Sequence, residues 1–316
     1  MVLDSKAKKW LTSLLGSNVK FDEPMSRHTS LRVGGPAEAF AVPETVETLK
    51  WLVTWAWQES VPYLIIGNGT NLLVTDGGIC GVVIGLTKCL KEIKQIDKTK
   101  ENIIIAAMTG VRLQTLCNYA ITHGLAGMNF ALGIPGTVGG GIMMNAGTAY
   151  GRIENVLEAV TVLMPTGETK TITKQKLKFS YRHLALNMQP NHNSADQPVI
   201  IDGSFALRPS NSQKLKAEAK EIIKWRKQSQ PIGIPSAGCF FKNPATGKTA
   251  GELIDLAGLK GTSIGGAEVS AKHANFLINT GQASATDFMA LMELVQETVA
   301  KKFSTDLERE VKIVGV

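Results

Sequence analysis

The glycine-dense segment at residues 133–147 constrains the fold of this 316-residue chain more than any other feature. It begins GIPGTVGGG and ends NAG, and this is too many glycines for an ordinary connection between two elements. Glycine tolerates positive φ and lets a phosphate approach successive backbone N–H groups. The segment, called the second glycine loop below, therefore predicts a loop that binds an anionic ligand.

A first glycine loop, GNGTN at residues 67–71, follows the apolar run at residues 62–66. It is not a Rossmann fingerprint, because the third glycine of GxGxxG would fall at Leu72. Two such loops in one domain favour a dinucleotide bound across both. The GKT at residues 247–249 imitates the end of a phosphate-binding P-loop, but the first glycine of that motif would fall at Lys242, which excludes it.

Composition narrows the class of protein. A hydrophobic fraction of 44% over 316 residues is enough for two globular domains. The net charge of +7 suits an anionic partner, either a phosphorylated small molecule or nucleic acid. Because no aromatic residues alternate with the basic ones, a nucleotide- or RNA-binding module without enzymatic activity is the lesser alternative.

The cysteines and the apolar runs indicate the compartment. The four cysteines have no CxxC spacing, so neither a disulfide framework nor a metal site is predicted. No apolar stretch approaches the roughly 20 residues that span a membrane. We expect a soluble, cytoplasmic protein that does not bind a membrane, and a monomer.

Apolar spacing predicts a mixed α/β fold, and the sequence pattern changes from strand-rich to helix-rich near residue 210. A helix is expected at residues 44–60 and strands at 62–66, 81–86, 103–107, 159–164 and 199–207. Beyond residue 210 the pattern favours helices from Ser212 and at about 286–303, then a strand at 307–314. We expect a first domain at 1–210, in parts of about 1–86 and 87–210, and a second at 211–316 whose last strand returns to the active site.

Several segments, in chain order, resemble the bacterial UDP-N-acetylenolpyruvoylglucosamine reductase family. The two glycine loops belong to this resemblance. The other segments are TSLRVGGPA at 29–37, FSYR at 179–182, AGCFFKNP at 237–244, AGELI at 250–254, IGGA at 264–267, KHANF at 272–276 and EVKIVG at 310–315. The resemblance therefore spans most of the chain.

The resemblance implies a flavoenzyme of peptidoglycan synthesis. Its first domain has the two-part FAD-binding fold of vanillyl-alcohol-type oxidases, holding FAD without a covalent bond, and a smaller α+β domain binds a UDP-sugar. NADPH is the implied hydride source. The residues implied to bind FAD are Arg32, Gly67, Asn68, Gly69, Thr70, Asn71, Leu72, Gly133, Pro135, Gly136, Thr137, Gly139, Gly140, Asn145 and Gly147.

The implied reaction requires a cation and an acid. Hydride delivered from the flavin N5 to C3 of an enolpyruvyl group pushes negative charge toward C2 and the carboxylate. The resemblance assigns Arg182 to stabilise that charge and Cys239, where many relatives have Ser, to protonate C2. Glu310 is assigned to hydrogen-bond the enol or orient Arg182; its spacing to Gly315 favours it over Glu308.

The same resemblance assigns residues that bind the UDP-sugar, namely Tyr181, Arg226, Lys227, Asn243 and His273. His273 also suits a structural histidine, and Lys312 stands where some relatives have Arg. Without the resemblance, Arg182 is a surface arginine beside an exposed tyrosine, and Cys239 is a buried, inert thiol. Residues 183–198 contain no tyrosine, so the chain resembles the subclass that lacks a Tyr-bearing insertion.

The alternative enzyme is an FAD-dependent alcohol or hydroxy-acid oxidase or dehydrogenase of the same fold. Many such enzymes tether FAD to a histidine, and His28 is the histidine nearest to the glycine loops, which contain none. The RNA-binding alternative predicts no bound chromophore and salt-dependent binding. The absorption spectrum separates these possibilities.

Overall fold

The computed structural model describes residues 3–186, 197–245 and 247–316. The chain forms two compact units. The first unit comprises Met1–Phe21, Ala39–Asn68 and Gly81–Lys224, and the second comprises Asp22–Glu38, Gly69–Cys80 and Trp225–Val316. Two short N-terminal segments thus belong to the second unit, which the sequence division at residue 210 does not include.

The secondary structure confirms a mixed α/β chain. The helices are α1 (Ser5–Leu15), α2 (Val46–Gln58), α3 (Leu113–Thr122), α4 (Val138–Met143), α5 (Ser212–Ser229), α6 (Ala250–Leu256) and α7 (Ala285–Phe303). The early strands are β1 (Val19–Pro24), β2 (Pro36–Ala41), β3 (Tyr63–Ile66), β4 (Leu72–Val74), β5 (Ile79–Gly85), β6 (Ile93–Lys98), β7 (Ile103–Met108), β8 (Leu125–Ala126), β9 (Gly147–Thr148) and β10 (Gly151–Arg152). The later strands are β11 (Leu157–Leu163), β12 (Thr169–Thr173), β13 (Lys178–Ser180), β14 (His183–Ala185), β15 (Val199–Pro209), β16 (Ser236–Cys239), β17 (Ser263–Ile264), β18 (Ala267–Val269), β19 (Phe276–Asn279) and β20 (Lys312–Val314). Within the described ranges, none of the helices combines the length and apolar content that a bilayer crossing needs.

One part of the first unit is built on a sheet of order β1-β2-β5-β3. Thr45 caps α2 by accepting a hydrogen bond from the Thr48 N–H at 3.0 Å, and α2 buries Leu49, Leu52 and Val53 at helical spacing. Strand β5 pairs with β3 in parallel. The carboxyl end of β3 leads directly into the first glycine loop.

The other part of the first unit is a sheet of order β12-β11-β15-β7-β6, with β8 paired to β15. Along β15 the buried residues alternate, with Phe205 and Leu207 facing the same core as α3. A turn at residues 165–168 joins β11 to β12, and the Met164 N–H donates to the Glu168 carbonyl across it at 2.7 Å.

The second unit packs α6 and α7 with a sheet of order β16-β19-β18-β17. The predicted helix near residues 286–303 is confirmed, and its apolar residues are fully buried: Phe288, Leu291, Met292, Val295 and Val299. The predicted strand at 307–314 is wrong in its extent, since only Lys312–Val314 is a strand. The residues before it make single backbone bonds to other segments instead.

The two N-terminal segments are part of this second core. Leu31, Val33 and Leu73 are buried among its residues. Strand β4 pairs in parallel with β20, and Asp76 accepts hydrogen bonds from the N–H groups of Ala285 and Thr286 at the start of α7, each at 2.9 Å. The Thr286 hydroxyl donates to the same carboxylate at 2.7 Å.

The carboxylate of Asp76 is expected to stabilise the second unit. Burial opposes its ionisation, but the three hydrogen bonds outweigh this and hold its pKa below the ordinary value. Replacing a residue that caps a helix costs about 0.5–2 kcal/mol. Asp76→Ala should lower the free energy of unfolding by that amount, measured by denaturant titration near neutral pH.

A depressed carboxyl pKa gives the sign of the pH dependence. The contribution of Asp76 is present above its unfolded pKa of about 3.9 and is lost as pH falls through the lower folded pKa. The gap between wild type and Asp76→Ala should close in that acid range. Asp255→Ala, which removes the exposed ion pair to Lys260, is the control with a smaller expected effect. A gap equal to the control's, or one that does not change with pH, contradicts the assignment.

Candidate functional site

The two glycine loops meet in the first unit at Gly67 and Thr137. A Cβ added to Gly67 would lie 2.3 Å from the Thr137 Oγ1 and 2.9 Å from its Cγ2. Thr137 is itself buried. No side chain fits at position 67 unless Thr137 moves, so the backbones of the two loops pass close together here.

The middle of the second glycine loop is fixed by backbone hydrogen bonds. The Val138 N–H donates to the Val111 carbonyl at 2.8 Å, and the Gly139 N–H donates to the Thr109 carbonyl at 3.0 Å. A Cβ on Gly139 would lie 2.8 Å from the Thr109 Cβ. Gly133 and Gly136 have φ of 75° and 123°, conformations that L-residues avoid. Glycine is therefore required by the fold at several positions of this loop.

The end of the second glycine loop holds Arg182. Tyr181 and Arg182 form the turn of the hairpin β13–β14, and Arg182 has φ of 58°. Its Nη1 donates to the Gly147 carbonyl at 3.0 Å, and its guanidinium lies 5.2 Å from the centre of the Tyr181 ring. Buried Asn145 secures the hairpin by donating from Nδ2 to the Ser180 carbonyl at 3.3 Å. The structure thus attaches Arg182 to the loop, whereas Tyr181 is 45% exposed.

These loops fit a dinucleotide with a pyrophosphate. Side chains are excluded at Gly67 and Gly139, where a Cβ would meet its neighbour at under 3 Å. A loop without Cβ atoms lets phosphate oxygens approach the backbone. Within the first unit, the fit to FAD depends on this loop backbone without side chains at Gly67 and Gly139.

Residues 69–71 of the first glycine loop lie in the second unit, against the segment 22–38. Gly69 has φ of 59°, and a Cβ there would lie 2.1 Å from the His28 carbonyl oxygen. The Ser30 N–H donates to the Gly69 carbonyl at 3.0 Å. Arg32 follows in the same segment with φ of 57°. This segment therefore fixes the course of the first glycine loop.

Cys239 and Glu310 are brought together within the second unit. The Glu310 N–H donates to the carbonyl of Phe240, the residue after Cys239, at 2.8 Å. Asn71 Nδ2 donates to the Glu310 carbonyl at 3.2 Å, and the Lys312 N–H donates to the Asn71 carbonyl at 3.1 Å. Three segments far apart in sequence, around residues 71, 239 and 310, are thereby joined through their backbones.

The geometry distinguishes Glu310 from its sequence competitor. Glu308 forms an ion pair with Lys242, and its side chain is 72% exposed. Its carbonyl accepts from the Lys242 N–H at 2.8 Å. Glu310 is half-buried and linked to the residue next to Cys239. The backbone of Glu310 is therefore bonded to the residue that follows Cys239, whereas the backbone and side chain of Glu308 are bonded to Lys242.

Arg226, in the last turn of α5, interacts electrostatically with Cys239. Burial lowers the pKa of the Arg226 guanidinium, and the negative charge of the Cys239 thiolate opposes that shift. Arginine keeps its charge in proteins, so Arg226 places a cation near the thiol. Lys227 is exposed, and its carbonyl accepts a hydrogen bond from Lys272 Nζ at 2.6 Å.

The remaining predicted substrate residues contact the second unit's own elements. The Asn243 Oδ1 accepts from the Ala250 N–H at 3.1 Å, at the start of α6. His273 accepts from the Asn275 N–H at 3.3 Å and packs edge-on against Phe276 at 4.8 Å. Burial lowers the pKa of His273, which keeps the ring neutral. These contacts suit a structural histidine, and a role in substrate binding stays a prediction.

His28 Nε2 lies 3.0 Å from the Glu23 Oε1, and Glu23 is buried, so the ring of this candidate for flavin attachment is engaged with a carboxylate. Of residues 183–198, those at 187–196 lie outside the described residues. Sequence reasoning missed Ser30 and Asp76, because a lone serine or aspartate in a loop carries no pattern.

The comparisons with known proteins agree with this geometry. A family model described as "FAD binding domain" matches residues 37–173, and "UDP-N-acetylenolpyruvoylglucosamine reductase, C-terminal domain" matches residues 230–314. These matches confirm the expected FAD-binding domain followed by a smaller C-terminal domain.

Curated relatives extend the match over nearly the whole chain. The UDP-N-acetylenolpyruvoylglucosamine reductase of Desulfosudis oleivorans is 47% identical over 99% of this chain and 100% of its own length. The protein of that name from Listeria innocua is 41% identical over 94% of this chain and 95% of its own. The crystal structure of UDP-N-acetylenolpyruvylglucosamine reductase from Thermus caldophilus matches with a TM-score of 0.74 and 35% identity, covering 92% of this chain and 97% of that one. The chain therefore belongs to the UDP-N-acetylenolpyruvoylglucosamine reductase family.

Proposed function

We propose that the protein is an NADPH-dependent flavoenzyme of peptidoglycan precursor synthesis. It reduces the enolpyruvyl group of UDP-N-acetyl-3-O-(1-carboxyvinyl)-glucosamine to give UDP-N-acetylmuramate in the cytoplasm. The family membership supports this activity. The observation that carries it is the backbone hydrogen bond from the Glu310 N–H to the carbonyl of Phe240, the residue after Cys239, which supports a shared role for Glu310 and Cys239.

The glycine loops are the proposed cofactor site. The backbone around Gly67, Gly136, Thr137 and Gly139 would hold the FAD pyrophosphate without a covalent bond, since side chains are excluded at Gly67 and Gly139. When bound, FAD supplies hydride transfer from the nicotinamide of NADPH to C3 of the substrate. The protein's own residues must hold the carboxylate and provide the proton.

Arg182 is the proposed partner of the substrate carboxylate. Its guanidinium is always charged and presents a forked set of donors that suits two carboxylate oxygens. The bond from Nη1 to the Gly147 carbonyl and the stacking on Tyr181 fix its direction before substrate arrives. A fixed cation stabilises negative charge that develops toward the carboxylate without reorganising during the reaction.

Cys239 is the proposed proton donor. A thiol with an ordinary pKa of about 8.5 is mostly protonated at neutral pH and can transfer its proton to C2, becoming a thiolate that solvent reprotonates. The Arg226 cation stabilises that thiolate. Glu310 is proposed to hydrogen-bond the developing enol. The hydride at C3 and the proton at C2 together saturate the double bond.

The second unit is the proposed UDP-sugar site. Arg226 and Lys227 are proposed to supply positive charge for the diphosphate, and Asn243 and His273 are proposed contacts. Tyr181 stays a proposed substrate contact on the strength of the family resemblance alone. Lys312, where the resemblance implies an arginine in some relatives, is an exposed lysine. It supplies a compact charge without the fork of an arginine.

The colour of the purified protein tests this function. We expect a yellow protein whose flavin absorbance is bleached by NADPH under anaerobic conditions and restored by the enolpyruvyl substrate. Acid precipitation should release the flavin into solution. A bleached flavin that persists after substrate is added contradicts the reaction, a yellow acid pellet indicates a tethered flavin of the oxidase type, and a colourless protein favours the binding module.

Substitution of Cys239 separates the two half-reactions. Cys239→Ala should leave flavin reduction by NADPH within about twofold of wild type. It should slow substrate reduction by roughly 10²- to 10⁴-fold, the usual contribution of a general acid. Stopped-flow absorbance measures both steps. Cys239→Ser retains a hydroxyl in the same place and should keep much of the activity. Normal turnover by Cys239→Ala would show that another group is the acid.

A side chain at Gly67 should weaken cofactor binding. In Gly67→Ala the new methyl group must displace Thr137, and overpacking of this kind costs about 1–3 kcal/mol, equivalent to roughly 5- to 150-fold in affinity. FAD binding to the flavin-free protein, followed by fluorescence quenching, measures it. Gly85→Ala is the matched control, because its Cβ would make ordinary contacts at 3.5 Å or more. Equal affinity in both variants contradicts the proposed site.

A further inference from the structure

The strand that carries Cys239 is irregular. Strand β16 pairs with β19 at Ser236 and again at Cys239, with a register shift between the two pairs. Gly238 lies within the shift with φ of 81°, and its N–H donates to the Ser236 Oγ at 3.3 Å. A bulge of this kind re-aims the side chain that follows it, and bulges are common beside active sites. The direction of the thiol therefore depends on what holds the bulge.

Ser30 is bonded to that bulge from the N-terminal segment. Its Oγ donates to the Ser236 carbonyl at 2.7 Å across 206 residues of sequence. The same Oγ lies 3.5 Å from the Gly69 carbonyl. A hydroxyl has one proton to donate, and the Ser236 carbonyl accepts it because it is the nearer of the two acceptors. The Gly69 carbonyl accepts a hydrogen bond from the Ser30 N–H at 3.0 Å instead. Ser30 thus binds the first glycine loop with its backbone and the thiol's strand with its side chain.

We infer that Ser30 is a positioning residue for Cys239: its hydroxyl holds the bulge of β16 and thereby fixes the direction of the thiol. The functional meaning of this inference rests on the proposed role of Cys239 as proton donor. The positioning itself does not, since it concerns the protein without substrate.

Loss of the hydroxyl has a defined electrostatic consequence. In Ser30→Ala the Ser236 carbonyl loses its side-chain donor, and the bulge is free to relax. We expect the thiol to lose part of its electrostatic interaction with Arg226, whose charge stabilises the ionised form. An opposite charge nearby lowers an acid's pKa, so the pKa of Cys239 should rise when that charge is lost.

The thiol can be titrated without reference to catalysis. The rate of iodoacetamide alkylation as a function of pH reports the thiolate fraction. Exposed Cys80 is replaced by serine in every variant. Burial raises the pKa of Cys89 to about 11 and that of Cys117 to about 12, so both remain thiols over the range of the titration. Peptide mass spectrometry of the full-length, flavin-loaded protein then follows Cys239.

The expected result is a coupling between Ser30 and Arg226. Ser30→Ala should raise the pKa of Cys239 by about one unit, and Arg226→Gln should raise it by a similar amount. In the double variant the two shifts should not add, because both remove the same charge interaction. An unchanged pKa in Ser30→Ala, or fully additive shifts, overturns the inference.

Two controls separate positioning from general destabilisation. Ser30→Thr keeps the hydroxyl and should leave the pKa of Cys239 unchanged. Thr298→Ala removes another hydroxyl that donates to a backbone carbonyl in the second unit, within α7, and should also leave it unchanged. A shift in Thr298→Ala equal to that in Ser30→Ala contradicts a specific role.

The stopped-flow assay shows whether positioning affects the reaction. Ser30→Ala should slow substrate reduction about tenfold, with flavin reduction by NADPH within twofold of wild type. A normal rate of substrate reduction together with a shifted thiol pKa would contradict Cys239 as donor while leaving the positioning intact. If Ser30→Ala does not fold, a crystal structure of the unaltered protein decides, because a separation of Ser30 Oγ from the Ser236 carbonyl beyond about 3.5 Å overturns the inference.

Discussion

The backbone bonds at Glu310 are the constraint on which the second unit's site depends. Its N–H is bound to the Phe240 carbonyl and its carbonyl to the Asn71 side chain. Both bonds are made by the backbone of Glu310 and neither involves its carboxylate. The bond from the Glu310 N–H and the bond from the Lys242 N–H to the Glu308 carbonyl form an isolated antiparallel bridge between Phe241 and Arg309, ahead of β20.

In the first unit the constraint is the close approach of the two glycine loops at Gly67 and Thr137. Glycine at positions 67 and 139 is dictated by neighbours at 2.3 and 2.8 Å, and neither position has a positive φ. Gly133 and Gly136 are needed for their dihedral angles instead. Glycine carries an entropic cost of about 0.5–1 kcal/mol relative to alanine within regular structure. A loop that contains so many glycines suits a binding surface made of backbone atoms. Arg182 is hydrogen-bonded to this loop through the Gly147 carbonyl.

Local patterns predicted the elements well. Apolar spacing identified α2, α7 and the strands β3, β5, β7, β11 and β15, because each buries a face with a simple period. The glycine loops were visible from composition alone. Their proximity at Gly67 and Thr137 was not, since it depends on a contact between residues 70 positions apart.

The division of the chain was the harder inference. Segments 22–38 and 69–80 belong to the second unit through contacts such as Asp76 with α7 and Ser30 with Ser236, which span more than 200 residues. Hydrogen bonds of this range leave no periodic trace in a sequence. Helix α5 also continues without a break to Ser229. The change of sequence pattern near residue 210 therefore marks the start of this helix, whereas the compact units divide after Lys224.

The proposed reaction requires a protonated thiol at position 239, and the pH dependence of substrate reduction tests this requirement most directly. The rate of flavin reoxidation by substrate should be measured in single turnover for the wild type and for Cys239→Ser. A general acid must be protonated to act, so the wild-type rate should be constant at low pH and fall as pH rises through the thiol pKa, near 8.5 for an ordinary cysteine. The serine variant should show no fall in that range, because its hydroxyl does not ionise there. Identical profiles for the two proteins would contradict the assignment of Cys239 as the proton donor.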